Sequence, residues 1–215
     1  MNTAMLISTI VVAGACGLSV VSELKQRQLG VWIFKTLASI AFVSLAVLGD
    51  GLASSTGQWV VLGLVLSLFG DVLLIPKNSE LSFVAGFASF AAAHIAYCLA
   101  FVSMGLDNQA LLWAAPAMIA FALLVWRWLA PKLDSPFNLV VPLYILVIAT
   151  MVVLSAGAVG AGGNSLFLYA AIIFALSDLF VARERFMQAQ GINTWLGLPL
   201  YYMAQVVFAL SIANS

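Results

Sequence analysis

Apolar residues run through this chain in long, nearly unbroken stretches, separated by short clusters of Gly, Pro and charged side chains. Taking those clusters as ends gives eight apolar segments, at 3–21, 30–48, 58–75, 82–104, 109–129, 137–157, 165–181 and 194–212. A helix that crosses a bilayer needs about 20 mainly apolar residues, because each residue adds about 1.5 Å towards roughly 30 Å of hydrocarbon. The pattern predicts an all-α fold: a polytopic membrane protein with eight transmembrane helices. The connections are short and leave no room for a water-soluble unit, so residues 1–215 are expected to form a single integral membrane domain. Composition strengthens this, since the chain is 64% hydrophobic and 7% charged, where a soluble domain carries about 25% charged residues.

The few charges give an orientation. Lys25 and Arg27 follow the first segment, Lys77 the third, Arg183 and Arg185 the seventh, while Arg127 and Lys132 flank the end of the fifth. These positions all fall at one side of an up-and-down bundle. By the positive-inside rule that side is cytoplasmic, and both termini are expected outside. The expected location is a bacterial inner (plasma) membrane, with the lipid bilayer as solvent and partner. No basic stretch is present and the formal net charge is zero, so no nucleic acid partner is expected. Cys16 and Cys98 lie in different apolar segments and read as free thiols.

Against that background, three charged residues stand inside predicted spans: Lys35, Asp71 and Asp178. Such a residue costs roughly 2.5–3.5 kcal/mol on insertion scales, so it needs a partner or a task. His94, the only histidine, also lies inside a span. Orientation converts position into depth: Lys35, Asp71 and Asp178 fall about one to one and a half turns from the basic side. Tyr144, Tyr201 and Gln205 fall two to three turns in, with His94 and Tyr97 nearer the midplane. The opposite half of the bundle has little that is polar beyond small hydroxyl residues. A pocket open to one side fits this distribution better than a route across the membrane. Phe83, Phe87, Phe90, His94, Tyr97 and Phe101 alternate at spacings of four and three, which places them on one helix face. That face is either a packing surface or an apolar wall carrying two polar tips.

Leu68-Phe69-Gly70-Asp71-Val72-Leu73 is similar to Leu176-Ser177-Asp178-Leu179-Phe180, and Asp71 precedes His94 by the interval that separates Asp178 from Tyr201. Two parallel four-helix halves are therefore a candidate arrangement. An Asp–Lys–Asp network that only fixes helix register is the alternative for these charges, and a small proton-coupled transporter or lipid flippase is the rival use for them.

Several of these residues also carry a family resemblance. Gly70-Asp71-Val72-Leu73-Leu74, then Phe83-x-x-Gly86-x-x-x-Phe90-x-x-x-His94-x-x-Tyr97, Ser177-Asp178, and Tyr201-Tyr202-x-Ala204-Gln205 resemble the YhhN family of membrane lysoplasmalogenases. Lys35 and Tyr144 sit where that family also carries polar residues. The resemblance covers nearly the whole chain, and it departs at Leu179, where the family tends to have a small hydroxyl residue. It implies a hydrolase that cleaves the vinyl ether bond of a single-chain phospholipid, a lysoplasmalogen. The products are a fatty aldehyde and glycerophosphoethanolamine or glycerophosphocholine. A different membrane lipid hydrolase with the same acid pair is a further reading.

Vinyl ether hydrolysis needs a proton donor for the alkene carbon, an anion near the developing oxocarbenium ion, and a water. Two carboxylates in unlike settings supply the first two, as in glycosidases. The expected catalytic residues are Asp71, Asp178 and His94, with one acid protonated and the other ionised: either Asp71 ionised against Lys35 with Asp178 as the acid, or the reverse. Lys35, Tyr97, Tyr144, Ser177, Tyr201 and Gln205 are expected to bind substrate, Lys35 at the phosphate. No cofactor is expected, and one His with two remote acids makes a poor metal set. The spacing gives no support to a Ser-His-Asp nucleophile.

Overall fold

The computed structural model describes residues 2–212. Eight helices run through them: α1 (Thr3–Leu24), α2 (Gln28–Leu48), α3 (Ser55–Leu73), α4 (Glu80–Ser103), α5 (Asn108–Leu129), α6 (Phe137–Gly160), α7 (Leu166–Phe186) and α8 (Gly191–Ile212). Among the described residues all eight are long and apolar enough to cross a membrane, and no strand is present. The protein is an all-α integral membrane protein, as the hydrophobic pattern predicts.

Several helix starts lie where a polar side chain accepts from an otherwise unpaired backbone N–H. Asn2, Ser54, Ser79 and Asp107 cap α1, α3, α4 and α5 in this way, at 2.9, 3.0, 3.1 and 2.7 Å. Each such cap stabilises a helix by about 1 kcal/mol. The main shift from the sequence boundaries is in α7. It continues to Phe186, so Arg183 and Arg185 stand on its last turn rather than in the following loop. Cations there meet the negative end of the helix dipole, which favours the extra turn. The helices run through Pro116, Pro142 and Pro199.

Consecutive helices pack as antiparallel hairpins, α1 on α2, α3 on α4, α5 on α6 and α7 on α8. Glycines set the closest of these approaches. A Cβ at Gly63 would strike the Tyr97 ring, and one at Gly70 would come 2.6 Å from the Phe90 ring. The two rings of α4 thus lie directly on the bare backbone of α3. Between hairpins, α8 is the hub and touches α1, α2 and α3 as well as α7. The neighbour relations of the first four helices recur in the last four: α2 packs on α3 and α8, and α6 packs on α7 and α4.

The recurrence breaks at α5. Helix α1 packs on α8, but α5 has substantial packing on α6 alone, and only Leu129 of its residues is buried. The apolar core is split accordingly. A main cluster fills the bundle around Phe42, Leu64, Tyr97, Phe174 and Phe208. A small second cluster joins the ends of α5, α6 and α7 around Leu129, Val141 and Ile145.

Candidate active site

A cavity of about 500 Å³ has residues of both clusters in its lining. Its mouth is at the end of the bundle that carries the basic residues. Glu23, Lys77, Glu80, Glu184 and Arg185 line it there, and two ion pairs fix the rim. Lys77 Nζ lies 2.7 Å from Glu23 Oε2, and Arg185 Nη2 lies 2.7 Å from Glu80 Oε2. The Arg185 guanidinium also stacks 4.2 Å over the Phe83 ring. Arg185 is therefore part of the mouth as well as a charge at a helix end, a role the sequence does not single out. Deeper in, the lining turns apolar, with Phe87 and Phe90 of α4 facing Phe121 and Val125 of α5 and Ile145 and Ile148 of α6.

Asp71 and Asp178 both line this cavity. Asp71 is 3% exposed. Its Oδ2 accepts a hydrogen bond from the Tyr201 hydroxyl at 2.6 Å and lies 2.6 Å from Ser39 Oγ. The Ser39 hydroxyl also lies 2.9 Å from the Lys35 carbonyl, one turn earlier on α2. Asp178 Oδ2 accepts from the Tyr144 hydroxyl at 3.1 Å and lies 3.5 Å from His94 Nε2. So α3 presents its acid between α2 and α8, and α7 presents its acid between α6 and α4. Among the described residues neither Asp71 nor Asp178 has a hydrogen-bond partner at Oδ1. Each carboxyl is tethered through one oxygen.

Lys35 lines the cavity and is 7% exposed, but its ammonium has no ion-pair partner among the described residues. The sequence suggests a pair with Asp71. In the structure hydroxyl groups touch Asp71, and Lys35 acts on it through charge at longer range, with no direct ion pair between them among the described residues. The Lys35 carbonyl is also held by Tyr202, whose hydroxyl donates to it at 3.4 Å.

The remaining candidates divide by position. Tyr144 and Tyr201 line the cavity beside the two acids. His94, Tyr97, Ser177 and Gln205 are buried behind the wall. Tyr97 donates to Gln205 Oε1 at 2.8 Å and stacks on Phe208 at 4.1 Å, so its hydroxyl points into the core. Ser177 donates to the Phe174 carbonyl of its own helix at 2.8 Å. The aromatic stripe of α4 is thus two surfaces in one. Phe83, Phe87 and Phe90 face the cavity, while His94, Tyr97 and Phe101 turn into the protein. Ser39 is a residue that sequence reasoning missed, although it lies one turn from Lys35 and so on the same face.

An eight-helix membrane bundle with two inward carboxylates at a one-ended cavity is the class of protein that this fold and site define. Comparison with known families makes it particular. The YhhN family model matches residues 30–212, and the chain belongs to the YhhN family. It is 29% identical over 192 residues to lysoplasmalogenase TMEM86A of Bos taurus, an alignment that covers 86% of this chain and 74% of that one. It is 30% identical over 187 residues to lysoplasmalogenase TMEM86B of Sus scrofa, covering 86% and 77%. Lysoplasmalogenase TMEM86A of Homo sapiens is 30% identical over 196 residues, covering 86% and 74%. No solved structure matches the chain.

Proposed function

We propose that this protein is an integral membrane ether hydrolase that cleaves the vinyl ether bond of lysoplasmalogens. The products are a fatty aldehyde and glycerophosphoethanolamine or glycerophosphocholine. The observation that carries this reading is the pair of carboxyls, Asp71 and Asp178, on the wall of one cavity in a protein whose relatives are named lysoplasmalogenases. The cavity's size lies within the range of about 300–1,000 Å³ typical of small-ligand sites. Its apolar depth suits one hydrocarbon chain, and its charged rim suits a phosphate-bearing head. Lys35, buried and unpaired, is the residue best placed to meet the phosphate or a glycerol oxygen.

The two acids take unlike roles. Asp178, in its protonated form, gives its proton to the alkene carbon; a C–H bond forms, and the π electrons move to make an oxocarbenium ion. Asp71, ionised and met by hydroxyl groups, steadies that cation and takes a proton from the water that adds to it. As the hemiacetal breaks its bond to the glycerol oxygen, its hydroxyl proton is lost and the glycerol oxygen takes one up, so the head leaves as the alcohol and the chain as the aldehyde with no net change in protons. Proton return from Asp71 to Asp178 closes the cycle. Tyr201 and Tyr144 orient the two carboxyls through Oδ2.

Transport fits the geometry less well. The lining of the cavity comes from the basic ends and middles of the helices, and none of it from their opposite ends. In this reading the basic ends face the cytoplasm and both termini lie on the other side.

The test is aldehyde release by purified protein in detergent, from lysoplasmenylethanolamine and, separately, from its saturated alkyl-ether analogue. Aldehyde from the vinyl ether alone is the expected result. No aldehyde from folded protein would sink the hydrolase reading.

A further inference from the structure

His94 is fully buried and does not reach the cavity, yet its ring is fixed from two sides. Nδ1 lies 2.7 Å from the Phe90 carbonyl one turn back on α4. A carbonyl oxygen only accepts, so Nδ1 carries the hydrogen. The ring plane is held by Phe174 at 4.5 Å and by the edge of Tyr144 at 5.4 Å. Nε2 lies 3.5 Å from Asp178 Oδ2 and has no hydrogen-bond partner among the described residues. In the neutral ring Nε2 is a lone pair, and a lone pair asks for a donor. Asp178 meets that need only as the carboxylic acid. Its ionised form would set two acceptors against each other, or would require a charged imidazolium.

Asp71 differs: two hydroxyls, those of Tyr201 and Ser39, lie 2.6 Å from its Oδ2, and no ring nitrogen meets it, whereas Asp178 has one hydroxyl, Tyr144 at 3.1 Å, beside the histidine. We infer that His94 is a positioning residue that keeps Asp178 in its acid form, with one proton shared between Asp178 Oδ2 and His94 Nε2. The inference rests on the hydrolase reading for its use, because only the acid form of Asp178 has a proton to give to the alkene carbon. Its geometry stands apart from substrate. The gap of 3.5 Å exceeds a good hydrogen bond by a few tenths of an ångström, and catalytic hydrogen bonds commonly tighten once substrate is seated. The proton moves from the carboxyl to carbon, the ring keeps its Nδ1 hydrogen throughout, and no redox partner is needed.

The chain contains a single histidine, so protein labelled with ¹⁵N-histidine in lipid nanodiscs gives one pair of ring nitrogen signals and needs no assignment by mutation. The expected spectrum is the neutral Nδ1–H form, with an Nε2 signal that shifts in Asp178→Asn and stays in place in Asp71→Asn. An Nε2–H form, or an Nε2 signal indifferent to Asp178→Asn, would overturn the inference. The kinetic arm uses His94→Phe, which keeps a ring of similar shape. Turnover should fall about ten- to a hundredfold, a share of the general acid contribution, with KM within about twofold. A raised KM at unchanged kcat would make His94 a binding residue and overturn its role behind Asp178. The spectrum needs no substrate. Absence of aldehyde from every variant and from the parent would therefore remove the hydrolase reading, while the Asp178–His94 couple is judged by its own signal.

Discussion

In the first four helices α1 lies along α2 and also against α8. In the last four, α5 lies along α6 and makes little other contact, and the cavity lies between it and α4. The two sides otherwise follow one plan. Each has an acid on its third helix, held by a side chain of the helix before it and by one from the fourth helix of the other half. The repeated part of the plan places chemistry, and the part that fails to repeat makes room for a ligand.

The strongest way to break this comparison is to remove the acids one at a time. Asp71→Asn and Asp178→Asn should each lower aldehyde release about a hundredfold or more, within the range of general acid–base contributions. The check is a rate per folded molecule, with folding followed by thermal melting in detergent. A variant that keeps full activity would remove its acid from the mechanism.

The two tyrosines sharpen the same contrast. A hydrogen bond to a charged group is worth about 1.5–3 kcal/mol and one to a neutral group about 0.5–1.5. With Asp71 ionised and Asp178 protonated, Tyr201→Phe should slow turnover roughly 10- to 100-fold and Tyr144→Phe only about 3- to 10-fold. Equal losses in the two variants would show that the acids do not differ in charge.

Filling the space beside α5 tests the other half of the comparison. Val125→Trp intrudes on the apolar depth, where overpacking costs about 1–3 kcal/mol. Turnover of a long-chain substrate should fall about tenfold relative to a short-chain one. Equal loss for both chain lengths would mean that the chain lies elsewhere. The smallest effect is expected at the rim. Arg185→Gln removes a partly exposed ion pair with Glu80, of a kind worth roughly 0.2–1 kcal/mol. Stability should therefore change by no more than that, and a large drop in melting temperature would show that the rim holds the fold together.

Much of this was legible in the residues, for physical reasons. Lipid demands long apolar helices, so the eight spans could be read from length and composition. Charge in hydrocarbon is rare enough that Asp71, Asp178 and Lys35 announced themselves. Periodicity put Phe83 to Phe101 on one face of α4, but a face is wide enough to meet two neighbours. Local sequence therefore did not reveal that His94 and Tyr97 turn away from the cavity while Phe87 turns into it. Nor did it reveal that Ser39 and Tyr201 are the side chains that touch Asp71, with Lys35 making no direct ion pair to it, since that depends on how α2 rotates against α3. The looseness of α5 was hidden for a similar reason. Helix α5 is apolar enough to span a membrane, as its neighbours are, and apolar residues facing lipid read like apolar residues facing protein.

The glycine contacts of α3 have one more consequence. With Tyr97 and Phe90 seated on the bare backbone at Gly63 and Gly70, the α3–α4 hairpin is a stiff frame that carries one acid and the histidine behind the other. The wall formed by α5 and the start of α6 has no such anchor at its cavity end. A catalyst built this way separates what must stay fixed from what is free to vary. Its repertoire of chain lengths can drift, or be redesigned, through residues such as Phe121, Val125 and Ile148 while the reaction itself is left alone.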